Sequence, residues 1–209
     1  MSRKRGPIIA RTGRFAGLIA VLLASVSITA CGSASEGPLQ TLSAGGKPVL
    51  AMTSVVVTPG QSADAEAYVT TSAKNYPVQV TSVSVVPVAG EPAGTLVNAG
   101  VQSTGASVAA DRGWPAVPVE PLIGAQLAHR LPGNLFGIVF GASGPATGHN
   151  YAVAGLRIGY RYHGQSYSMI AWAPLAICVA ASLRSNTPSC QPFQQKINQI
   201  VMKLSGHPS

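Results

Sequence analysis

The sequence predicts an all-β sandwich of about seven to nine strands, closed by one C-terminal amphipathic helix. Three observations predict it. From Pro48 onward the chain is a succession of short β-like runs cut by Gly, Pro and Asn. The composition, with 23 Gly, 16 Pro and only 10% charged residues, suits many turns better than a helical bundle. A helical period appears only near the C-terminus.

The runs follow one another in order. "VLAMTSVVV" is the first, and "AEAYVTT" follows the turn "TPGQ". In "YPVQVTSVSVV", strict alternation puts Val78, Val80, Ser82 and Ser84 on one face and Gln79, Thr81, Val83 and Val85 on the other. "GTLVNAGVQ" is a weaker run. "DRGWPAVPVEPLIGAQ" carries Pro115, Pro118 and Pro121, a spacing that excludes a central strand and predicts an extended edge or crossover. "NLFGIVFGA" reads as a compact buried strand.

The clearest pair is "YAVAGLRIGYRYHGQSYSMIAWAPLAICV". A two-residue turn at His163-Gly164 would pair Tyr160 with Tyr167, Ile158 with Met169 and Leu156 with Ala171 on one face. The other face pairs Arg161 with Ser166 and Arg157 with Ile170, and sets Trp172 opposite Gly155. One face is apolar and the other polar near the turn, as in a sheet with one side in a core. Such a set of strands resembles an immunoglobulin-like β-sandwich. The resemblance is architectural, because both late cysteines fall outside the inter-sheet Cys…Trp…Cys spacing of true immunoglobulin domains. At the end, Phe193, Ile197, Ile200, Val201 and Leu204 form one apolar stripe on a helix, with Pro192 at its start and Gly206 after it. The stripe either docks on the sandwich or is offered to a partner or a bilayer surface.

The N-terminus reads as an address. Arg3, Lys4, Arg5, Arg11 and Arg14 precede an apolar run from Phe15 to Ala30. That run is short for a span of ~30 Å, which takes about 20 apolar residues. A basic region, an apolar region and a small-residue end make an export signal. Ile28-Thr29-Ala30-Cys31 resembles the lipobox of bacterial lipoprotein precursors, with Ile28 where Leu is usual. The resemblance implies signal-peptidase recognition of Ile28, Thr29 and Ala30, cleavage after Ala30, and a lipid on the Cys31 thiol, palmitate-type chains included. The alternatives are an ordinary cleaved signal with a chance cysteine and an uncleaved membrane helix. The Ala/Gly/Val-heavy vocabulary is similar to that of high-GC bacteria such as actinobacteria. The domain plan is then a signal peptide over 1–30, a lipidated cysteine and flexible tether over 31–48, and a sandwich with its helix over 49–209. The tether would span roughly 20–25 Å root-mean-square. About 160 residues follow it, enough for one domain with its own core.

This address changes the charge argument. The formal charge of +8 includes five basic residues before Cys31, whereas all six acids follow it. The mature part carries nine basic against six acidic residues, scattered, which argues against a nucleic-acid partner. With Cys31 lipidated, Cys178 and Cys190 remain, and two cysteines in an exported domain most often form a disulfide. A redox pair is the alternative, although the spacing is not CxxC.

Recognisable catalytic sets are missing. "GASGP" and "GQSYS" lack the nucleophile-elbow pattern, and Cys178 and Cys190 lack the serine-histidine-glycine-cysteine context of cell-wall transpeptidases. Asp64-x-Glu66 puts two carboxylates on one strand face, which reads as a solvated strand start rather than a glycosidase pair. His129, His149, His163 and His207 with Met52, Met169 and Met202 could supply soft metal ligands, but no His-x-Met cluster occurs. By parity, Tyr151, Arg157, Arg161 and Trp172 share the outer face of the hairpin and form a candidate partner surface. The expected function is that of a cell-envelope lipoprotein on the extracytoplasmic face of the membrane. It would be non-catalytic, need no cofactor or metal, and bind or support an envelope protein or cell-wall component. The alternative is an extracytoplasmic metal or small-molecule carrier.

Overall fold

The computed structural model describes residues 37–44, 47–48, 50, 52–73, 76–102, 112–115, 117–128, 135–144, 148–181, 183 and 190–206. The expected signal segment, with its expected recognition residues Ile28, Thr29 and Ala30 and the expected lipidation site Cys31, lies outside the described residues. The strands are β1 (Leu39–Thr41), β2 (Ser43–Ala44), β3 (Lys47–Pro48), β4 (Thr53–Val57), β5 (Ser62–Thr71) and β6 (Val78–Pro87). They continue with β7 (Thr95–Gln102), β8 (Val119–Pro121), β9 (Gln126–Leu127), β10 (Leu135–Ser143), β11 (Tyr151–Tyr162) and β12 (Gln165–Val179), followed by α1 (Gln191–Leu204). Ten strands form two five-stranded sheets, ordered β1-β5-β10-β7-β8 and β4-β12-β11-β6-β9. Every pairing is antiparallel except β4 with β12. The β2–β3 ribbon is separate.

The core lies between the inner faces. On β10, Phe136, Ile138 and Phe140 point inward, and their neighbours on β5 are Val69, Ala67 and Ala65. Small residues on β5 leave volume for the rings of the central strand, the large-against-small complement that close packing requires. Leu156, Ile158 and Tyr160 of β11 and Ala171, Ala173, Leu175 and Ile177 of β12 complete the core from the second sheet.

The hairpin has the register expected from its turn, from Tyr162↔Gln165 back to Gly155↔Trp172. His163 and Gly164 have φ of 50° and 76°, the left-handed pair that a two-residue I′ turn needs. Two irregularities then break simple parity. Between Val153 and Gly155 the β11–β12 register shifts by one, so Ala152 and Ala154 point outward while Tyr151 and Val153 point into the core. On β6, Val80 faces Tyr160 and Ser82 faces Gly159, leaving Thr81 as an extra residue. The insertion reverses the expected alternation. Val78, Val80, Val83 and Val85 all serve the core, and Ser82 and Ser84 lie in solvent.

The strand total exceeds the expected seven to nine, because β1, β8 and β9 are edge strands of two or three residues with too little length to show a period. β8 holds Pro121 at a sheet edge, where a missing N–H costs little. The folded part also begins earlier than expected. Leu39–Thr41, placed in the tether by composition, is the edge strand of the first sheet, paired with Val69–Thr71. Among the described residues, no helix is long and apolar enough to cross a membrane.

α1 packs outside the second sheet. Ile197 and Val201 are fully buried against Val88, Ala152, Ala154 and Ala176, with Trp172, Phe193 and Ile200 at the margin. Leu204, the last residue of the stripe, is left exposed. Lys196 pairs with Glu91, and the Ser54 hydroxyl donates to Gln194 Oε1 at 3.0 Å. A disulfide joins Cys178 on β12 to Cys190, the residue before the helix, with Cα atoms 5.7 Å apart. α1 thus covers the half of the outer face remote from the His163-Gly164 turn.

Candidate functional site

The other half of that face is open. Across it, directly opposite one another, stand Gln126 on β9, Gln79 on β6, Arg161 on β11 and Ser166 on β12, all exposed. Adjacent strands place such side chains about 5 Å apart, so the row presents amides, a guanidinium and a hydroxyl side by side. Aromatic groups close one end. Tyr76, 58% exposed, meets His163 edge-on with centroids 4.4 Å apart, and Tyr162 meets the same ring from another direction at 4.3 Å. Together Tyr76, Gln79, Gln126, Arg161, Tyr162 and His163 line an open cleft of about 340 Å³. Among the described residues that line it there is no carboxylate. The groups it gathers donate hydrogen bonds, stack and carry positive charge, which is the equipment of binding.

Beneath this cleft Gly37 lies against the inner side of the second sheet. Tyr160 and Tyr167 stack at 5.5 Å, and the Gly37 backbone lies against both rings. A Cβ at Gly37 would overlap the Tyr160 hydroxyl, so only glycine permits this approach. The Ser72 N–H donates to Pro38 O at 2.8 Å, which ties the same point to the β5–β6 connection leading to Tyr76. Gly37 and Pro38 therefore lie at the end of the sandwich that carries the cleft.

A second polar group lies on the outer face of the first sheet. Asp64 and Glu66 are buried there, contrary to a solvated strand start. The segment after β7 explains it: Arg112 bridges to Ala63, the Gly113 N–H donates to Ser62 O, and Trp114 lies on Gly141. The Tyr68 hydroxyl donates to Glu66 Oε2 at 2.7 Å. Gly137 on the neighbouring strand leaves the carboxylate its space, beside buried Gln102.

The expected partner surface of Tyr151, Arg157, Arg161 and Trp172 does not form as one face. Arg157 and Arg161 are exposed on the open half. Trp172 packs at the margin of the α1 cluster. Tyr151 is 1% exposed in the core, because the register shift in β11 inverts its parity. Its hydroxyl donates to Ala142 O at 3.4 Å, and its ring fills the space a side chain at Gly144 would need.

Burial pushes the Tyr151 hydroxyl from its ordinary 10.0 up to about 12, against the opposing pull of a backbone hydrogen bond from Gly144. Tyr160 is raised by burial too, lowered by a backbone hydrogen bond at Leu39 and raised by Tyr167. Both folded-state values lie above the unfolded ones, so their contribution is intact below the ordinary tyrosine range and is lost as pH rises through the folded values; for Tyr151 that window runs from 10.0 to about 12. For Tyr151 the expected loss is about 1.4 kcal/mol per pH unit in that window. Urea unfolding of wild type and Tyr151→Phe at pH 9 and pH 11 checks this, and the variant should lose distinctly less stability between the two.

Among the described residues, no three His, Cys, Asp or Glu side chains gather to hold a metal. His129 and His207 lie outside them, His149 is exposed, and His163 is held between Tyr76 and Tyr162. The chain matches no protein-family model, and no curated protein matches it. Sequence reasoning named Arg161 for a partner surface and His163 for the turn, but did not join them to Tyr76, Gln79 and Gln126, which are far apart in the chain. The only local signal was the cluster of tyrosines around one turn.

Proposed function

We propose that the protein is a lipid-anchored lipoprotein of the cell envelope, held through Cys31 on the extracytoplasmic face of the membrane. Its sandwich is non-catalytic and binds or supports another envelope component. The observation that carries the reading is the Ile28-Thr29-Ala30-Cys31 sequence after a basic and apolar leader, with Gly37, six residues on, already packed against the sandwich. The cleft supports a binding role, because it joins amides, a guanidinium and aromatic rings without a nucleophile set beside a base.

The sandwich is immunoglobulin-like in this reading. The order β1-β5-β10-β7 follows the A-B-E-D arrangement, and β6-β11-β12 follows C-F-G. β8 and β9 extend the two sheets as an insertion between the fourth and fifth strands of that scheme. Tyr151, at the start of the sixth strand and bonded back to Ala142, supports the reading as a tyrosine corner.

The test is Cys31→Ala. Wild type should fractionate with membranes and carry a diacylglyceryl mass on Cys31, and the variant should accumulate as an unlipidated, uncleaved precursor. Unchanged fractionation with no mass difference would sink the proposal.

A further inference from the structure

We infer that the cleft end of the sandwich, with Tyr76, Tyr162, His163 and Arg161, is the face that rests on the lipid headgroups of the anchoring leaflet. The inference rests on the lipoprotein reading of Cys31. Cys31 and Gly37 are six residues apart. Even fully extended, that stretch reaches about 20–22 Å. A leash of 31–48 would have let the domain tumble, but Leu39–Thr41 is bound into the first sheet and cannot pay out. The anchored residue therefore stays within about one domain radius of Gly37.

Gly37 lies against Tyr160 and Tyr167, two cross-strand pairs from the hairpin turn, and Pro38 accepts a hydrogen bond from Ser72. At the same end of the sandwich stand Tyr76, exposed at 58%, and His163 in contact with it. Tyrosine rings suit the headgroup layer, where an apolar body and a polar hydroxyl are both satisfied. Arg161 beside them would meet anionic headgroups, worth about 1 kcal/mol near such a surface. Among the described residues the lining carries no carboxylate, and Glu36 is the single acid between Cys31 and Gly37. A short leash raises the local concentration of this end at the bilayer, so weak contacts suffice. The face under α1, at the other end of the second sheet, is thereby turned away from the membrane.

The experiment uses lipidated protein in vesicles of phosphatidylglycerol and phosphatidylcholine, with the lipid on Cys31 first verified by mass. Tetranitromethane nitration of Tyr76 is followed by peptide mass spectrometry. The comparison is the same lipidated protein with about 30 Gly/Ser residues inserted after Ser33. Nitration of Tyr76 should be about five-fold slower with the native leash, and Arg161→Glu should recover most of that reactivity. Equal nitration of the native and lengthened forms overturns the inference while leaving the anchor intact. Protection in whole cells but not in vesicles overturns it in favour of a protein or glycan on the cleft. Absence of lipid on Cys31 overturns both the anchor and the membrane face.

Discussion

Replacing Cys178 and Cys190 together by alanine is expected to lower stability by about 3 kcal/mol, the loop-closure value for a cross-link of this span. The sulfurs join residues separated by 12 in sequence, with β12 on one side and the start of α1 on the other. Without the bond, the unfolded chain gains the freedom of that loop, and α1 must hold its place by packing, the Lys196–Glu91 pair and the Ser54–Gln194 hydrogen bond. Both cysteines are buried, so the loss combines the released loop with two small voids. Denaturant titration of wild type and the double variant measures the difference, and hydrogen exchange should place the extra opening in α1. Equal midpoints and equal exchange would show that the helix needs no staple.

Ile197→Ala is the second large effect, expected at about 2–4 kcal/mol. Ile197 is completely buried with Val201 over Val88, Ala152, Ala154 and Ala176. The sheet surface beneath is built of alanines, so few neighbouring side chains can swing in to fill the space. The deletion should leave a cavity rather than collapse. The inner core does not touch this cluster through Ile197, so the sandwich should keep its fold while α1 loosens. Near-native circular dichroism with a lower denaturation midpoint is the expected pair of results. An unchanged midpoint would mean that α1 contributes nothing to the domain. The two changes act on one helix, and their combination should depart from additivity.

The legibility of the fold varied with strand length. β5, β10, β11 and β12 are long enough to show apolar alternation, and the hairpin register followed from one turn dipeptide. β1, β8 and β9 were not legible, because two or three residues carry no period and their pairing depends on partners elsewhere in the chain. The candidate site was legible only in part. Arg161 was placed correctly on an open face, whereas Tyr151 was not. Parity counted along β11 from Arg157 assigns Tyr151 to solvent, and a one-residue shift near Ala154 reverses the assignment. The same event at Thr81 turned two apparent faces of β6 into one. Asp64 and Glu66 show a third limit: a polar strand face reads as solvated until another segment is seen to cover it.

The sequence by itself determined the β class, the His163-Gly164 hairpin and the pairing of the two late cysteines. These depend on neighbours along the chain: strand period, turn chemistry and a short loop. The tertiary structure decided that Leu39–Thr41 is an edge strand, which tyrosine is core and which is surface, and which residues meet in the cleft. Those depend on register shifts and covering segments, where hydrogen bonds between distant strands choose the face a side chain occupies. Tyr76 and His163 touch because two loops end at the same rim, and nothing local to either residue encodes that meeting.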